Sequence, residues 1–303
     1  MTNKLKKLII KYKQPLKITY IILIIGLVLF SIFRIYQETS LSSIENAAQK
    51  LTAQKLILTI ILGAIAVVPM AIYDFIYTRK TTSKVGWFQL FKDSYIINSF
   101  TNAGGSGGLV GASLRVYLFG KASSKTSETI KVVSQIALFT LVGLITNDLA
   151  AILFNFRSFF QMRSLIKWVC LLFPLYIFVP FIIPTQKLNL KDHFWLLIGS
   201  SLEWLFALGF FVMVGYIMGL HFNPAQVYLA VCFAGIAGAI SMIPGGAGSF
   251  DSAIILGLSQ FGISTGTAVT WTFIYRICYY IIPFILGIIM LLITVTKRKL
   301  KRA

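Results

Sequence analysis

The stretch S-M-I-P-G-G-A-G-S-F-D, residues 241–251, interrupts an apolar run that extends from about residue 225 to residue 261. Pro244 has no amide hydrogen to give a helix, and Gly245, Gly246 and Gly248 allow backbone turns closed to other residues. The run therefore reads as two half-helices joined by unwound chain. A second apolar run, about 95–120, is broken in the same way by T-N-A-G-G-S-G-G-L-V-G, residues 101–111. The segments A-G-G-S-G-G (103–108) and P-G-G-A-G-S (244–249) align at a constant offset, which puts Gly104 on Gly245 and Gly107 on Gly248. Each break follows a span bearing one acid, Asp74 or Glu203, and precedes a short apolar segment, a polar linker and a long span. This reads as an internal repeat, about 55–154 and about 194–296, against the alternative of two separate Gly-rich helix contacts of the GxxxG kind. Matching Gly/Pro-interrupted segments in two halves point to a transporter-type binding site.

Six further apolar stretches are unbroken, at about 17–36, 55–77, 129–154, 165–184, 194–219 and 267–295. Each is near the roughly 20 residues that a helix needs to cross a bilayer. Of the 303 residues, 57% are hydrophobic and only 12% charged, and the mean hydropathy is +0.82. A soluble domain carries about 25% charged residues, so this chain cannot cover a core in water. The expectation is an all-α polytopic membrane protein with six full spans and two Gly-rich re-entrant segments in an inverted repeat. It forms a single transmembrane domain with basic tails at 1–17 and 297–303. The run from Ile18 to Tyr36 is long and lacks a small-residue cleavage site, so it reads as a retained span rather than a secretion signal.

The net charge of +19 comes from 28 Lys+Arg against 9 Asp+Glu. Its placement argues against nucleic acid: Lys4, Lys6, Lys7, Lys11, Lys13 and Lys17 precede the first span, and Lys297, Arg298, Lys299, Lys301 and Arg302 follow the last. Basic clusters flanking apolar runs are the product of the positive-inside rule and attract anionic headgroups. With both breaks re-entrant, the inner loops hold nine basic residues (Arg79, Lys80, Lys84, Lys92, Lys121, Lys125, Lys131, Lys187, Lys191). The outer loops then hold five (Lys50, Lys55, Arg157, Arg163, Lys167). With both breaks crossing fully, the split is even. The rule therefore favours re-entrance, with both termini in the cytoplasm.

Charge inside the spans is scarce. Asp74, Asp148, Glu203 and Asp251, with Arg115 and Arg276, fall in spans or broken segments. Each costs at least about 2.5–3.5 kcal/mol at membrane depth, so it should be paired, wetted or functional. Asp74, Arg115 and Glu203 adjoin the breaks, where a water-filled cavity is expected, and are candidates for substrate contact. Asp251 and Arg276 are divided between that role and plain pairing, and Asp148 leans to pairing. Exposed amides at Gly104, Gly105, Gly107, Gly108, Gly245, Gly246 and Gly248, turned by Pro244, could bind an anion. Catalytic and metal patterns are missing from the sequence: His193 and His221 stand far apart, and neither HExxH nor GxSxG occurs. Cys170, Cys232 and Cys278 lie in apolar runs without metal-ligand spacing and read as packing residues. No cofactor is expected. Trp271, Tyr275, Tyr279 and Tyr280 follow helical spacing and read as packing. Gly215 and Gly219 form a small-residue face that would allow a homodimer.

The stretch I-P-G-G-A-G-S-F-D (243–251), followed by F-I-Y-R-I-C-Y-Y-I-I-P (273–283), resembles the transmembrane domain of the lysylphosphatidylglycerol synthase/flippases, the bacterial multiple peptide resistance factors. M-A-I-Y-D-F-I-Y (70–77), N-A-G-G-S-G-G-L-V-G-A-S-L-R (102–115) and S-S-L-E-W (200–204) are similar to the same family, and the likeness runs from about residue 15 to 296. The resemblance implies a translocase in the bacterial cell membrane that moves aminoacylated phosphatidylglycerol to the outer leaflet and so contributes to resistance to cationic antimicrobial peptides. It implies functional roles for Asp74, Arg115 and Glu203. In that family a separate cytoplasmic domain makes the lipid, and residues 1–303 leave no room for one. Membrane phospholipids, and a separate lipid synthase, are the partners that follow. A lipid-modifying enzyme, a solute transporter and a membrane anchor for a synthase are the competing readings.

Overall fold

The computed structural model describes residues 52–80, 85–104, 109–119, 126–182, 188–241 and 243–300. The expected span at 17–36, the tail 1–17, residues 301–303, and Gly105, Gly107 and Gly108 lie outside them. Among the described residues every element is helical. This is the expected response of a chain in hydrocarbon, where backbone groups must find their partners within the segment.

Helix α1 (Ala53–Ala66) is capped by Thr52, whose hydroxyl accepts from the Lys55 amide at 3.4 Å. It passes through a 3₁₀ turn at Val68–Met70, where Pro69 has no amide hydrogen, into α2 (Ala71–Lys80). Then follow α3 (Trp87–Gly104), α4 (Leu109–Phe119) and the long α5 (Thr126–Phe154). The short α6 (Phe156–Gln161) leads to α7 (Ser164–Leu172), a 3₁₀ segment at Phe173–Phe178 and α8 (Val179–Ile182). Helix α9 (Leu190–Ile217) opens with a capping box between Asn189 and Asp192, two bonds of 2.9 Å. The second half continues with α10 (Pro224–Ser241), a turn at Pro244–Gly246, α11 (Ser249–Ser259), α12 (Thr265–Arg276), a π turn at Ile277–Ile281 and α13 (Ile282–Leu300). Pro283 has no amide hydrogen for the carbonyl four residues back, which accounts for the widened turn at that point.

Among the described residues five helices are long and apolar enough to cross a membrane: Ala53–Lys80, Val132–Phe154, Leu190–Ile217, Pro224–Ser241 and Thr265–Lys297. The chain is a multi-pass, all-α membrane protein. The stretch expected as a plain span at 165–184 is instead broken by Pro174 and Pro180 into α7, the 3₁₀ segment and α8. Conversely, the first arm of the second broken segment, α10, is itself long enough to span. Both broken segments are hairpins: α3 packs on α4, and α10 on α11. Helix α9 is the hub, touching α1, α2, α5, α10 and α12. The Pro244–Gly246 turn packs against α3, so the unwound turn of one broken segment meets the first arm of the other.

Large apolar side chains such as Ile61, Ile65, Leu153, Phe154, Ile289 and Leu292 stand exposed around the bundle. A soluble monomer does not tolerate so much exposed apolar surface, but lipid does. Trp271 fills the notch at Gly215, where a Cβ would lie 2.2 Å from the indole, while nothing lies within 4 Å of one added at Gly219. The Trp271 ring nitrogen donates to the Phe211 carbonyl at 2.7 Å, so this indole is a core residue, as its spacing suggested. Cys170, Cys232 and Cys278 are buried and free.

Candidate functional site

The Y-D segment on α2 carries Asp74, which is fully buried. Arg115 on α4 donates from Nε to Asp74 Oδ1 at 2.7 Å and from Nη2 to Asn98 Oδ1 at 3.1 Å. Asn98 on α3 closes the triangle by donating Nδ2 to Asp74 Oδ2 at 2.8 Å. Burial of a charge pair is tolerable only when the remaining lone pairs and protons are also satisfied, and the Asn98 amide supplies that. The third corner, Arg115 Nη1, donates to no described residue.

The second half builds a different network around the glycine break. Gly245 and Gly246 adopt φ of 59° and 62°, a left-handed turn that glycine enters without steric cost. Their carbonyls point at Arg276, which donates Nη1 to Gly245 O at 2.5 Å and Nη2 to Gly246 O at 3.2 Å. Its Nε donates to Asp251 Oδ1 at 2.8 Å, while Asp251 Oδ2 accepts the Gly248 amide at 2.8 Å. The guanidinium also lies over the rings of Phe250 and Tyr280 at 5.2 and 5.1 Å. Arg276 is thus a latch on the unwound turn. Arg276→Lys keeps the charge but loses the planar fork, so it should lower stability by about 1–3 kcal/mol. Thermal unfolding in detergent checks this; an unchanged midpoint would mean that the turn holds itself.

A cavity of about 600 Å³ opens between the two networks. Arg115, Glu203, Gly245 and Gly246 line it; Asp74, Asp251 and Arg276 stand behind its wall. Gly104 ends α3 against Val110 and does not line it, Gly248 caps the start of α11, and Pro244 opens the 3₁₀ turn. Glu203 on α9 accepts a short hydrogen bond from the Tyr73 hydroxyl. The rest of the wall is mainly apolar and aromatic, with Trp204, Phe250, Tyr275, Tyr279 and Tyr280. Pockets for organic ligands share this make-up, largely apolar with a few placed polar groups.

The charge repeat is not symmetric. In the expected repeat Asp74 and Glu203 hold equivalent places, each on the span before its break. In the first half Asp74 does pair across the break with Arg115. In the second, Arg276 pairs with Asp251, which follows the break, and Glu203 is left without a cation among the described residues. The physical reason is distance along the helix: Asp251, in the first turn of α11, already sits beside the turn that Arg276 closes. Tyr275, Tyr279 and Tyr280, expected only to pack, also border the cavity. Sequence reading passed over Tyr73, Asn98 and Asn102. Asn98 and Asn102 carry a readable signal, two amides four residues apart in an apolar helix and therefore on one face. Asp148 is buried beside Cys170 and does not reach the cavity.

The family model of the lysylphosphatidylglycerol synthase transmembrane region matches residues 18–287. Among curated proteins, the phosphatidylglycerol lysyltransferase of Staphylococcus aureus (strain MRSA252) is 26% identical over 284 residues, covering 91% of this chain and 34% of the relative. That of Bacillus subtilis (strain 168) is 28% identical over 308 residues, covering 96% of this chain and 36% of the relative. This chain thus spans about a third of the length of the curated relatives it matches.

Proposed function

The chain belongs to the family of the lysylphosphatidylglycerol synthase transmembrane region, and on that premise we propose that it is a phospholipid translocase for lysylphosphatidylglycerol or a related aminoacylated or anionic lipid. The observation that carries this reading is the cavity between the two interrupted hairpins, with a guanidinium and a carboxyl that has no cationic partner among the described residues on one mainly apolar wall. A planar guanidinium suits a phosphodiester, and a carboxyl suits an ammonium. The aromatic surface beside them can hold a cation by its ring faces. The acyl chains would stay in the bilayer, and exposure of the site to either leaflet would come from rocking one half against the other. Transport to the outer leaflet of a bacterial cell membrane, resistance to cationic peptides, re-entrant hairpins in an inverted repeat and cytoplasmic termini all belong to this proposal.

The test uses purified protein in liposomes with lysylphosphatidylglycerol placed in one leaflet. A membrane-impermeant amine-reactive dye reports the lipid amine that reaches the other. The wild type should move lipid well above empty liposomes, and Glu203→Gln should abolish the movement while remaining folded. Movement unchanged by that substitution would remove the cavity from the reading.

A second reading, a lipid-modifying enzyme or its membrane subunit, is favoured by the name of the relatives, phosphatidylglycerol lysyltransferase. That activity belongs to proteins of which this chain matches a third, and it predicts new lipid species in extracts of expressing cells.

A further inference from the structure

Four acids of the described bundle have a cationic partner: Asp74 with Arg115, Asp251 with Arg276, Asp192 with Lys80, and Asp93 with Lys92. Glu203 and Asp148 have none among the described residues, and of these two only Glu203 borders the cavity. Glu203 is 6% exposed, and its hydrogen bond comes from the Tyr73 hydroxyl, a neutral donor. A buried carboxylate without a counter-charge is strongly disfavoured in a low dielectric. Two species can relieve it from the cavity side: a proton, or a cation carried by the ligand. They compete for the same oxygens.

The groups facing Glu203 do not relieve it otherwise. Helix α2 presents Tyr73, itself near Thr140 of α5 and Ser200 of α9, all neutral hydroxyls. The π turn presents Tyr279 and Tyr280. Helix α4 presents Arg115 on the same cavity, a cation that is tied to Asp74 and Asn98 and forms no ion pair with Glu203. From α12, Arg276 is committed to Asp251 and the turn carbonyls.

We propose that Glu203 is an exchange site at which a proton and the ammonium of a cationic lipid headgroup exclude one another, so that lipid movement is coupled to proton movement in the opposite direction. This deepens the translocase reading and rests on it. When the ammonium arrives, the carboxyl gives up its proton to water in the cavity; when the lipid leaves, the carboxyl takes one up from the side then exposed. An acidic medium on the release side thereby drives the lipid off, and a pH gradient supplies work that the chain needs no nucleotide site to obtain.

Titration calorimetry of the detergent-solubilised protein with lysylphosphatidylglycerol, in two buffers of different ionisation enthalpy, counts protons released per lipid bound. About one is expected, with none for phosphatidylglycerol, which lacks the amine. Lysylphosphatidylglycerol affinity should fall on acidification, towards tenfold per pH unit once the empty carboxyl is protonated, over a range in which the lysyl side chain stays charged. Glu203→Gln should release no proton and bind with a flat pH profile. Tyr73→Phe, which keeps the carboxyl, should retain release with the profile displaced along the pH axis. Lipid binding without proton release in the wild type, or the same release from Glu203→Gln, overturns the coupling and leaves the translocase reading standing. Absence of binding at every pH overturns both.

Discussion

Asp74→Leu should lower stability by about 3–5 kcal/mol, and Asp74→Leu with Arg115→Leu together should recover most of that loss. The single change strands a guanidinium that cannot lose its proton, 3% exposed and at membrane depth. Arg115→Leu should cost less, because the stranded Asp74 carboxyl can neutralise itself by taking up a proton. The double variant leaves only the Asn98 amide short of partners, a cost of about 1–3 kcal/mol. Thermal unfolding of the four proteins in one detergent gives the cycle. Simple additivity in the double would show that the pair is not coupled as its 2.7 Å contact indicates, and equal losses for the two single variants would show that the stranded Asp74 carboxyl does not neutralise itself. The same double variant separates scaffold from site. If Arg115 Nη1 meets the lipid phosphate, the stable double variant should move no lipid. Wild-type movement would make the arginine a structural counter-ion alone.

Gly143→Ala should be the most damaging loss of a glycine in the described bundle, at about 3 kcal/mol or more. A Cβ at that position would stand 2.0 Å from the Ser200 carbonyl oxygen, which is backbone and cannot rotate away. Helices α5 and α9 would have to separate. With them would go the bond from the Gly143 amide to Ser200 Oγ at 2.5 Å, from Trp204 to the Thr140 carbonyl at 2.6 Å and from Asn147 to the Ser201 carbonyl at 3.0 Å. Close approach at small residues is how helices associate in lipid, where there is no hydrophobic force between them. Gly209→Ala is the control: nothing lies within 4 Å of its added Cβ, so it should be neutral or raise stability by up to about 1 kcal/mol. A Gly143→Ala protein that unfolds at the wild-type temperature would mean that the contact can widen freely. Because Glu203 rides on α9 within one turn of Ser200 and Trp204, a tolerated but shifted interface should also displace the Glu203–Tyr73 bond and slow lipid movement.

Much of the architecture could be read along the chain because its cause is local. Run length and the scarcity of charge place helices at 55–77, 129–154, 194–219 and 267–295, and the structure has them at Ala53–Lys80, Val132–Phe154, Leu190–Ile217 and Thr265–Lys297. The glycine break at 244–248 was legible for the same reason, since proline and glycine act on their own backbone. The reading failed where prolines were sparse punctuation in an otherwise apolar stretch, as at Pro174 and Pro180. It also treated Asp74 and Glu203 as equivalents on the strength of their order, when order along the chain carries no information about which acid an arginine reaches.

By itself, then, the sequence determined that this is an all-α, multi-pass membrane protein with two interrupted helical segments and a handful of charges that must be satisfied inside it. Those conclusions follow from transfer free energies and backbone preferences, which each residue carries with it. Only the tertiary structure decided how the charges are used. Arg115 reaches Asp74 across 41 residues, Arg276 reaches Asp251 across 25, and Tyr73 meets Glu203 across 130. Such pairings depend on where the packing of α9 against its neighbours leaves each side chain. The Coulomb energy of a buried charge is set by the few ångströms around it and by nothing in its sequence neighbourhood.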